Sequence, residues 1–434
     1  MSVQAASARS FGVGRWGPVS LGAAIALSAV VLLGIIAYVQ QLVHGEIVTG
    51  LRDWGTMRGS PWGVYIAFVV YFIGVSFAGI SIAALVRLFR IQALEPVTRM
   101  AELLTIVSLV LGAFAILADL GQPLRGIVNL FRYARPQSPF FGTFTLVMAG
   151  YLFASLVYFY LAGRRDAYLM AREPSRLQAW YRWWAAGYRD TPAERARHER
   201  TSFLLAVAIL PLLVTAHSTL GLVFGLMGGR PGWFSALQAP GFVVLAGVSG
   251  LGHIAVMAAL VRWFVPASRD SLGLPTFRLL GMFTMVLAMI YLYFTLIEVL
   301  TASYAGHEEE QELVRLLLAG VYAPYFWAGV VGLSAAAVLG IVQGLRGRWS
   351  VPAVVAMGVL VNVAAVAKRL IIVTPSLTHG SLLPYPDGVY IPTWVEISIV
   401  VALMALGALV MLGFAKLYPI LPLADEQAAE GGKP

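Results

Sequence analysis

Hydrophobic residues occur along the chain in long continuous runs that are separated by short polar segments. A helix that spans a bilayer needs about 20 mostly apolar residues, and ten runs reach that length. The runs are 18–43, 62–87, 99–120, 139–163, 202–227, 240–264, 275–304, 321–344, 350–373 and 391–415. Strands that cross a membrane alternate apolar and polar residues, whereas these runs are continuous. The pattern therefore predicts an all-α, polytopic membrane protein with about ten transmembrane helices.

The composition excludes several other classes of protein. Hydrophobic residues make up 59% of the 434 residues and charged residues 12%, whereas a soluble domain has about 25% charged residues. A globule of this size could not cover so much apolar surface, so a soluble enzyme and a disordered chain are both excluded. The sequence contains no cysteine, which excludes disulfides, thiolate metal or iron–sulfur ligands and a cysteine nucleophile.

The loops on the two sides of the predicted membrane differ in charge. The segment 164–201 contains nine arginines, and the loops near Arg87, Arg262 and Arg346 are also basic. All of these loops lie on the same side as the N-terminus, whereas the acidic run 308–312 lies on the opposite side. Lys and Arg concentrate on the cytoplasmic side of membrane proteins. We therefore expect a protein of the bacterial or archaeal cytoplasmic membrane with both termini in the cytoplasm.

The same charge bias accounts for the net charge of +9, so no nucleic-acid partner is expected. The run 18–43 follows Arg9 and Arg15 and lacks a small-residue cleavage site, which indicates a retained helix rather than a signal peptide. These observations divide the chain into three parts. The parts are a cytoplasmic N-terminus (1–17), a transmembrane domain (18–415) and a cytoplasmic tail (416–434).

The long basic loop also contains a cluster of aromatic residues. Trp180 and Trp184 lie close to Arg182 within the segment 164–201. Aromatic and basic residues in this arrangement are typical of an amphipathic helix that lies at the membrane interface. We expect the segment to contact acidic lipid headgroups, and a surface for a cytoplasmic partner is the alternative.

Polar residues inside the spans are the candidates for function, because ionisable groups are costly in a membrane. Several of them lie at a similar depth on the outer side. Glu298, for example, is about 6–9 Å from the outer end of its span at 1.5 Å per residue. The group consists of Trp62, Tyr65, Asp119, Glu298, Lys368, Arg369 and Glu396, with His217 somewhat deeper. The sequence therefore predicts one polar site near the outer face.

Most of these residues also have a structural interpretation. Lys368 and Arg369 could extend to the lipid headgroups, and Glu396 could form an ion pair with one of them. Asp119 could end its helix, and His217 could form an interhelical hydrogen bond. Trp62 could belong to the aromatic belt of the membrane interface.

Two other functions are compatible with buried polar groups. His217 and His253 both lie inside spans, at depths that differ by about 6 Å, and such a pair could ligate a b-type haem. Buried carboxylates and a histidine could also couple ions in a secondary transporter. The sequence contains no Walker A loop, dinucleotide fingerprint or HExxH helix.

Seven segments taken together resemble a known family. They are WGVYIAFVVYFIGVSFAG (62–79), DLGQPLR (119–125), SPFFG (138–142), HSTLGLVFGLMGGRPGW (217–233), IEVLTASYAG (297–306), AKRLIIVTPSL (367–377) and YIPTWVEISI (390–399). In this order they resemble the NrfD-like family of integral membrane subunits that interact with quinones, in its ten-helix branch. The resemblance covers about residues 54–418.

The resemblance implies an architecture and a set of partners. It implies two four-helix bundles, at about 62–227 and 240–373, which are flanked by the first and last helices. A ferredoxin-like iron–sulfur subunit would dock on the outer face, and further redox subunits would carry molybdopterin, a hydrogenase site or several haems. The substrate would be menaquinone or ubiquinone, and the chain itself would bind no haem or metal.

The resemblance also implies which residues act. The polar residues of the family correspond to Asp119, Arg125, His217, Glu298 and Arg369. Since the reduction of a quinone consumes two electrons and two protons, we expect Asp119, His217 and Glu298 to take part in catalysis. Asp119 would exchange protons, His217 or Tyr65 would form a hydrogen bond with the quinone, and Glu298 would belong to a proton path or to a second site. The residues expected to bind the quinone headgroup are Trp62, Tyr65, Asp119, Arg125, His217 and Arg369.

Overall fold

The computed structural model describes residues 12–51, 60–138, 142–379 and 388–423. The predicted N-terminus and tail therefore lie in large part outside the described residues. The helices are α1 (Pro18–His44), α2 (Val64–Phe89), α3 (Thr98–Asp119), α4 (Pro123–Tyr133), α5 (Phe144–Ala171), α6 (Gln178–Ala185), α7 (Pro192–Gly225), α8 (Gln238–Phe264), α9 (Leu274–Ala305), α10 (Glu308–Leu318), α11 (Ala323–Leu345), α12 (Val351–Val373), α13 (Pro375–Thr378) and α14 (Trp394–Leu417).

Ten of these helices are long and apolar enough to cross a membrane. They are α1, α2, α3, α5, α7, α8, α9, α11, α12 and α14, and each of them overlaps one of the runs found in the sequence. The predicted all-α, polytopic fold with ten transmembrane helices is therefore confirmed.

Two helices extend well beyond the hydrophobic runs that predicted them. The helix α5 continues to Ala171, and α7 begins at Pro192. The Thr191 hydroxyl accepts a hydrogen bond from the Glu194 backbone N–H, which caps the start of α7. Hydropathy finds only the apolar part of a helix, whereas these helices continue into turns that carry polar residues.

The spanning helices form two bundles. Bundle one consists of α2, α3, α5 and α7, and bundle two consists of α8, α9, α11 and α12. The bundles meet where α2 packs against α8 and α12 and where α7 packs against α8. The first helix, α1, pairs with the last, α14, which also packs on α3. The implied arrangement of two four-helix bundles with flanking first and last helices is confirmed.

Close helix contacts in this arrangement depend on small residues. A Cβ atom at Gly34 of α1 would overlap the Cβ atom of Ala402 of α14, and one at Gly79 of α2 would overlap the Thr105 side chain of α3. Without a hydrophobic driving force between helices in lipid, such close backbone packing supplies much of the attraction.

The two ends of the bundles differ, and we name them by their charge. The basic face carries the segment 164–191, and the acidic face carries α4 and α10. The aromatic residues of the basic face pack internally: the Trp184 and Tyr418 rings stack at 4.6 Å, and the Tyr181 hydroxyl donates to the Leu417 carbonyl oxygen at 2.8 Å. Only part of the segment therefore matches the predicted interfacial helix, with Trp183 as its exposed aromatic residue at 70%.

Candidate functional site

The predicted site residues do not form a single site. Tyr65 and Asp119 lie in a cluster at the acidic face of bundle one, whereas Glu298 and Lys368 line a cavity at the acidic face of bundle two. The remaining predicted residues lie elsewhere, and each is described below.

A hydrogen-bonded group joins the ends of α1, α2 and α3. The Tyr65 hydroxyl donates to Gln41 Oε1 at 2.7 Å. The amide nitrogen of Gln41 donates to the Ala118 carbonyl oxygen at 2.8 Å and to the Glu46 carboxylate at 3.2 and 3.3 Å. Gln41 therefore connects the tyrosine, the carboxylate and the last turn of α3.

Asp119 lies next to this group with one oxygen unsatisfied. Its Oδ1 atom is buried and has no hydrogen-bond partner among the described residues. Glu46 and Glu396 are both close enough to act on it electrostatically. Among the described residues, no Lys or Arg forms an ion pair with any of these three carboxylates. A buried acceptor without a partner is costly, so this atom is a candidate for contact with a ligand.

Glu46 lies just beyond the end of α1 and shows the effect of this environment. Burial raises the pKa of its carboxyl group above the usual value, and the neighbouring Glu396 adds to the rise. Hydrogen bonds from Gln41 and Thr49 oppose the rise in part. Glu46 therefore holds its proton to a higher pH than an exposed glutamate does.

The carboxylate of Glu396 is fully buried and accepts three hydrogen bonds. The donors are the Gly50 and Thr393 backbone N–H groups, at 2.6 and 2.9 Å, and the Tyr390 hydroxyl, at 2.5 Å. The interpretation that Glu396 pairs with Lys368 or Arg369 is therefore wrong. Glu396 lies in the first turn of α14, where a carboxylate completes a capping box and favours the helix dipole.

We name these residues the carboxylate cluster: Gln41, Glu46, Tyr65, Asp119, Tyr390 and Glu396. Sequence reasoning did not select Gln41, Glu46 or Tyr390 for the site. The polar Gln41 in the last turn of an apolar helix was the one available signal.

Trp62 packs against aromatic residues at the end of α7 and in the loop that follows it. Its ring stacks on that of Trp233 at 6.0 Å and 18°, and contacts Phe224 edge-on at 6.4 Å. The Trp233 Nε1–H group in turn donates to the Ile372 carbonyl oxygen at 2.6 Å. Trp62 therefore packs on the loop between α7 and α8, which also borders the cavity of bundle two.

Arg125 is exposed on α4, and no ion pair joins it to Asp119 among the described residues. Four residues of this short helix, Leu124, Val128, Phe131 and Tyr133, are more than half exposed. The position of Arg125 next to Asp119 in the sequence motif therefore does not bring the two charges together.

His217 lies deeper in bundle one and is almost fully buried. Its Nδ1 atom is 2.8 Å from the Leu213 carbonyl oxygen, and its Nε2 atom is 2.8 Å from the Ile73 carbonyl oxygen. Ile73 is eight residues beyond Tyr65 on α2, about 12 Å along the helix. Both ring nitrogens thus face backbone acceptors, which is the interhelical alternative considered for this residue.

His253, the other half of the possible haem pair, is also engaged. Its Nδ1 atom is 2.8 Å from Asn362 Oδ1, which also accepts a hydrogen bond from the Tyr71 hydroxyl at 2.9 Å. Within the described ranges, no group of three or more His, Asp or Glu side chains could hold a metal ion.

Arg369 lies buried where the two bundles meet. Its guanidinium is 4.2 Å from the centre of the Phe242 ring, a favourable cation–π distance. Its Nη1 atom is buried and has no partner among the described residues. Arg369 does not extend to the headgroups, and it lies near His217 rather than in the carboxylate cluster.

Glu298 on α9 forms an ion pair with Lys368, which lies on α12. Lys368 Nζ lies 3.3 Å from Glu298 Oε2, and both side chains are largely buried. The pair lines a cavity of about 470 Å³ at the acidic face of bundle two. Glu298 and Asp119, two predicted groups at similar depth, therefore belong to separate bundles.

The ten spanning helices make this chain a multi-pass membrane protein. Its relatives are membrane subunits of oxidoreductase complexes. A dimethyl sulfoxide reductase membrane subunit of Halobacterium salinarum is 30% identical, over 94% of this chain and 93% of the relative. A selenate reductase subunit of Mesobacillus selenatarsenatis is 25% identical (94% and 96% covered). The Hdr-like menaquinol oxidoreductase integral membrane subunit of Archaeoglobus fulgidus is 26% identical (94% of each).

A family model matches most of the chain directly. The model of the family described as polysulphide reductase, NrfD, matches residues 54–379. The chain therefore belongs to the NrfD family and is an integral membrane subunit of a respiratory oxidoreductase. This membership favours the oxidoreductase hypothesis over a transporter.

Proposed function

We propose that the chain binds a quinone or quinol at the carboxylate cluster and exchanges electrons with an iron–sulfur partner at the acidic face. The observation that carries the proposal is the buried Oδ1 atom of Asp119, which lacks a partner among the described residues and lies in a cluster of three carboxylates. A quinol hydroxyl donates the hydrogen bond that this oxygen requires. Membership of the NrfD family, whose members interact with quinones, supports this ligand.

The chemistry assigned to the chain is proton transfer and positioning. Oxidation of a quinol releases two electrons and two protons, and its reduction consumes them. Asp119 accepts or donates one proton at the quinone oxygen, and Glu46 is the neighbouring carboxylate for exchange towards the acidic face. Tyr65 and Gln41 fix the geometry, because each is already held by a hydrogen bond.

The electrons are assigned to a partner. Iron–sulfur clusters are held by cysteine thiolates, and this chain has none. Because α4 directly follows Asp119 and exposes Leu124, Val128 and Phe131, we assign the docking of the iron–sulfur subunit to this helix. A redox centre above α4 would lie close to the carboxylate cluster.

The quinone type and the orientation belong to the same proposal. One relative carries menaquinol oxidoreductase in its name, which favours a menaquinone over a ubiquinone. The proposal places the acidic face outside the cytoplasmic membrane and the basic face in the cytoplasm, as the loop charges indicate.

The replacement Asp119→Asn tests the proposal, because it keeps the shape of the side chain and removes its titrating proton. In the assembled complex, we expect turnover from the donor to quinone to fall about tenfold to a thousandfold, in keeping with the ~10²–10⁴ that general acid–base catalysis contributes. Electron transfer to a soluble artificial acceptor should be unchanged.

A matched control is available at the opposite face. Asp190→Asn makes the same chemical change at the basic face, where Asp190 pairs with Arg165 and Arg195, and should leave quinone turnover unchanged. Wild-type turnover in an assembled Asp119→Asn complex would contradict the proposal.

A further inference from the structure

The cavity of bundle two is lined by a loop and by several helices. Its walls are the loop 231–238, the end of α9 and the end of α12, and its roof is the amphipathic helix α10 through Leu313, Val314 and Leu317. Its volume of about 470 Å³ lies within the range of ~300–1,000 Å³ that is usual for small-molecule sites.

Specific hydrogen bonds hold the roof and wall in place. The Gly232 backbone N–H donates to both oxygens of Glu310 on α10, at 2.9 and 3.0 Å. Gly232 has a φ of +73°, a conformation that glycine adopts without strain. The Trp233 indole N–H fixes the same loop to α12. These polar contacts hold the loop and α10 in place at the border of the cavity.

The interior contains polar groups that are not fully used. Ser376 lines the cavity, is 98% buried, and its hydroxyl has no hydrogen-bond partner among the described residues. The Lys368 ammonium has three N–H donors, of which Glu298 takes one. The cavity therefore offers a hydroxyl and an ammonium as donors, and the Glu298 carboxylate as an acceptor beside them.

The charges of the lining select the class of ligand. The titratable residues that line the cavity are Glu298, Glu310, His307 and Lys368, so the lining carries no net positive charge whichever form the histidine takes. Lys368 already has Glu298 as its counterion. An anionic phosphate would therefore meet no free cation among the described lining residues, whereas a neutral ring with hydrogen-bonding oxygens fits the apolar wall and the polar floor.

A narrow cleft of about 10 Å³ adjoins the cavity, and this volume holds no more than about one water. It shares Lys368, Phe326 and Ile371 with the cavity and continues between α9 and α11 past Thr295 and Gly329. A Cβ atom at Gly329 would meet only the Ala364 carbonyl oxygen, at 3.7 Å. The cleft leads from the polar floor along the helix contact within the membrane span.

We infer that this cavity is a second quinone site, distinct from the carboxylate cluster, that binds the neutral headgroup of a quinone or quinol. Lys368 and Ser376 donate to the quinone oxygens, and Glu298 accepts from the hydroxyl of the quinol. The inference rests on the proposed function, since it takes the same class of ligand. The site holds a bound or exchanging quinone, and no electron transfer is assigned to it.

The test is photolabelling of the intact complex in lipid nanodiscs with a short-tailed azidoquinone, followed by peptide mapping. We expect labelled peptides from 231–238 and 298–306 in addition to any from the carboxylate cluster. Ala302 lines the cavity, so Ala302→Phe should fill it and abolish this label. Ser303→Phe, one residue along the same helix and outside the lining, is the matched control and should retain it.

A second variant keeps the test valid if Ala302→Phe does not assemble. Ser376→Ala removes the unpartnered hydroxyl without adding volume, and should weaken binding of the azidoquinone at this site severalfold to about tenfold, as expected for one hydrogen bond.

The outcomes separate this inference from the proposed function. Three results would overturn the second site: label at the carboxylate cluster alone, label at 298–306 that persists in an assembled Ala302→Phe complex, or binding at 298–306 that Ser376→Ala leaves unchanged. The second quinone site would also be overturned if excess phospholipid, but not excess unlabelled quinone, reduced the label in bundle two. That result would indicate a lipid site. If the wild-type complex is labelled nowhere and reduces no quinone, the proposed function itself fails. Asp119→Asn should leave the label in bundle two intact.

Discussion

At the residue scale, two buried carboxylates at the acidic face differ in how completely they are hydrogen-bonded. Glu396 is fully satisfied by two backbone N–H groups and a tyrosine hydroxyl, so its burial serves the fold. Asp119 keeps one buried oxygen without a partner among the described residues. Since an unmade buried hydrogen bond costs about 1–3 kcal/mol, Asp119 is the better candidate for contact with a ligand.

Glu46 gives a prediction for the dependence of stability on pH. Burial, together with the neighbouring Glu396, raises the pKa of Glu46 in the folded protein. From the ordinary glutamate value of about 4.3 up to the raised value, the folded state binds more protons than the unfolded state, so the free energy of unfolding falls as pH rises. The Glu46→Gln variant does not lose stability in this way. The difference between its unfolding temperature and that of wild type should therefore rise as the pH increases above about 4.

The measurement is the unfolding temperature of the purified chain in detergent across a pH series that starts at that value. The exposed Glu308 on α10 offers a control, because Glu308→Gln removes a carboxylate from the same face without changing a buried site. A difference between Glu46→Gln and wild type that stays constant with pH would show that burial does not act on this group.

At the element scale, the helices follow the hydrophobic pattern closely, and the exceptions have physical causes. The ten runs predicted the ten spanning helices, because length and apolarity are what lipid requires. The runs did not reveal that α5 continues to Ala171 or that α7 begins at Pro192, because capping and the buried Arg99–Asp166 pair stabilise those polar turns.

The site was less predictable than the helices. The sequence predicted the depth of Tyr65, Asp119 and Glu298 in their spans. Depth alone does not determine which helices a side chain contacts. Lys368 meets Glu298 across two helices, and no spacing along the chain shows that contact. Gln41 and Glu46 come from a flanking helix and the turn after it, so a search among the bundle helices does not find them.

The helix α4 gives a prediction for the partner. The chain has no cysteine, so single cysteines can be introduced without background. We expect Arg125→Cys on α4 to be cross-linked to the iron–sulfur subunit by a short thiol-reactive reagent in the assembled complex, because α4 exposes an apolar surface next to the carboxylate cluster.

Arg346→Cys is the matched control for this experiment, since Arg346 is also exposed but lies between α11 and α12 at the basic face. Cross-linking of the iron–sulfur subunit to position 346 and not to position 125 would show that the partner docks on the basic face instead.

At the scale of the whole molecule, the two bundles carry different polar sites at the same face. Asp119 of bundle one meets two carboxylates, one just beyond the flanking helix α1 and one on the flanking helix α14, with no cation paired to them among the described residues, and bundle two holds a neutralised ion pair in a cavity. The buried Arg369 lies between them, where α2, α8 and α12 meet. This division suits proton exchange in the first bundle and the binding of a neutral ligand in the second.

The orientation that the loop charges predict can be tested directly. We expect a reporter that is active only outside the cytoplasm to be active when inserted between α10 and α11, at 319–322, and inactive when inserted near Gly187. The reason is the excess of arginine at the basic face. The reverse activities at both positions would invert the topology and place the carboxylate cluster inside.

The central claim is that Asp119 contacts the quinone and exchanges a proton with it. Redox-induced infrared difference spectroscopy of the assembled complex measures this contact through the C=O stretch of a protonated carboxyl group. The proposal requires a carboxyl band that changes when the quinone is reduced and reoxidised, and that is lost in Asp119→Asn. A difference spectrum with the same carboxyl band in wild type and in Asp119→Asn would contradict the account.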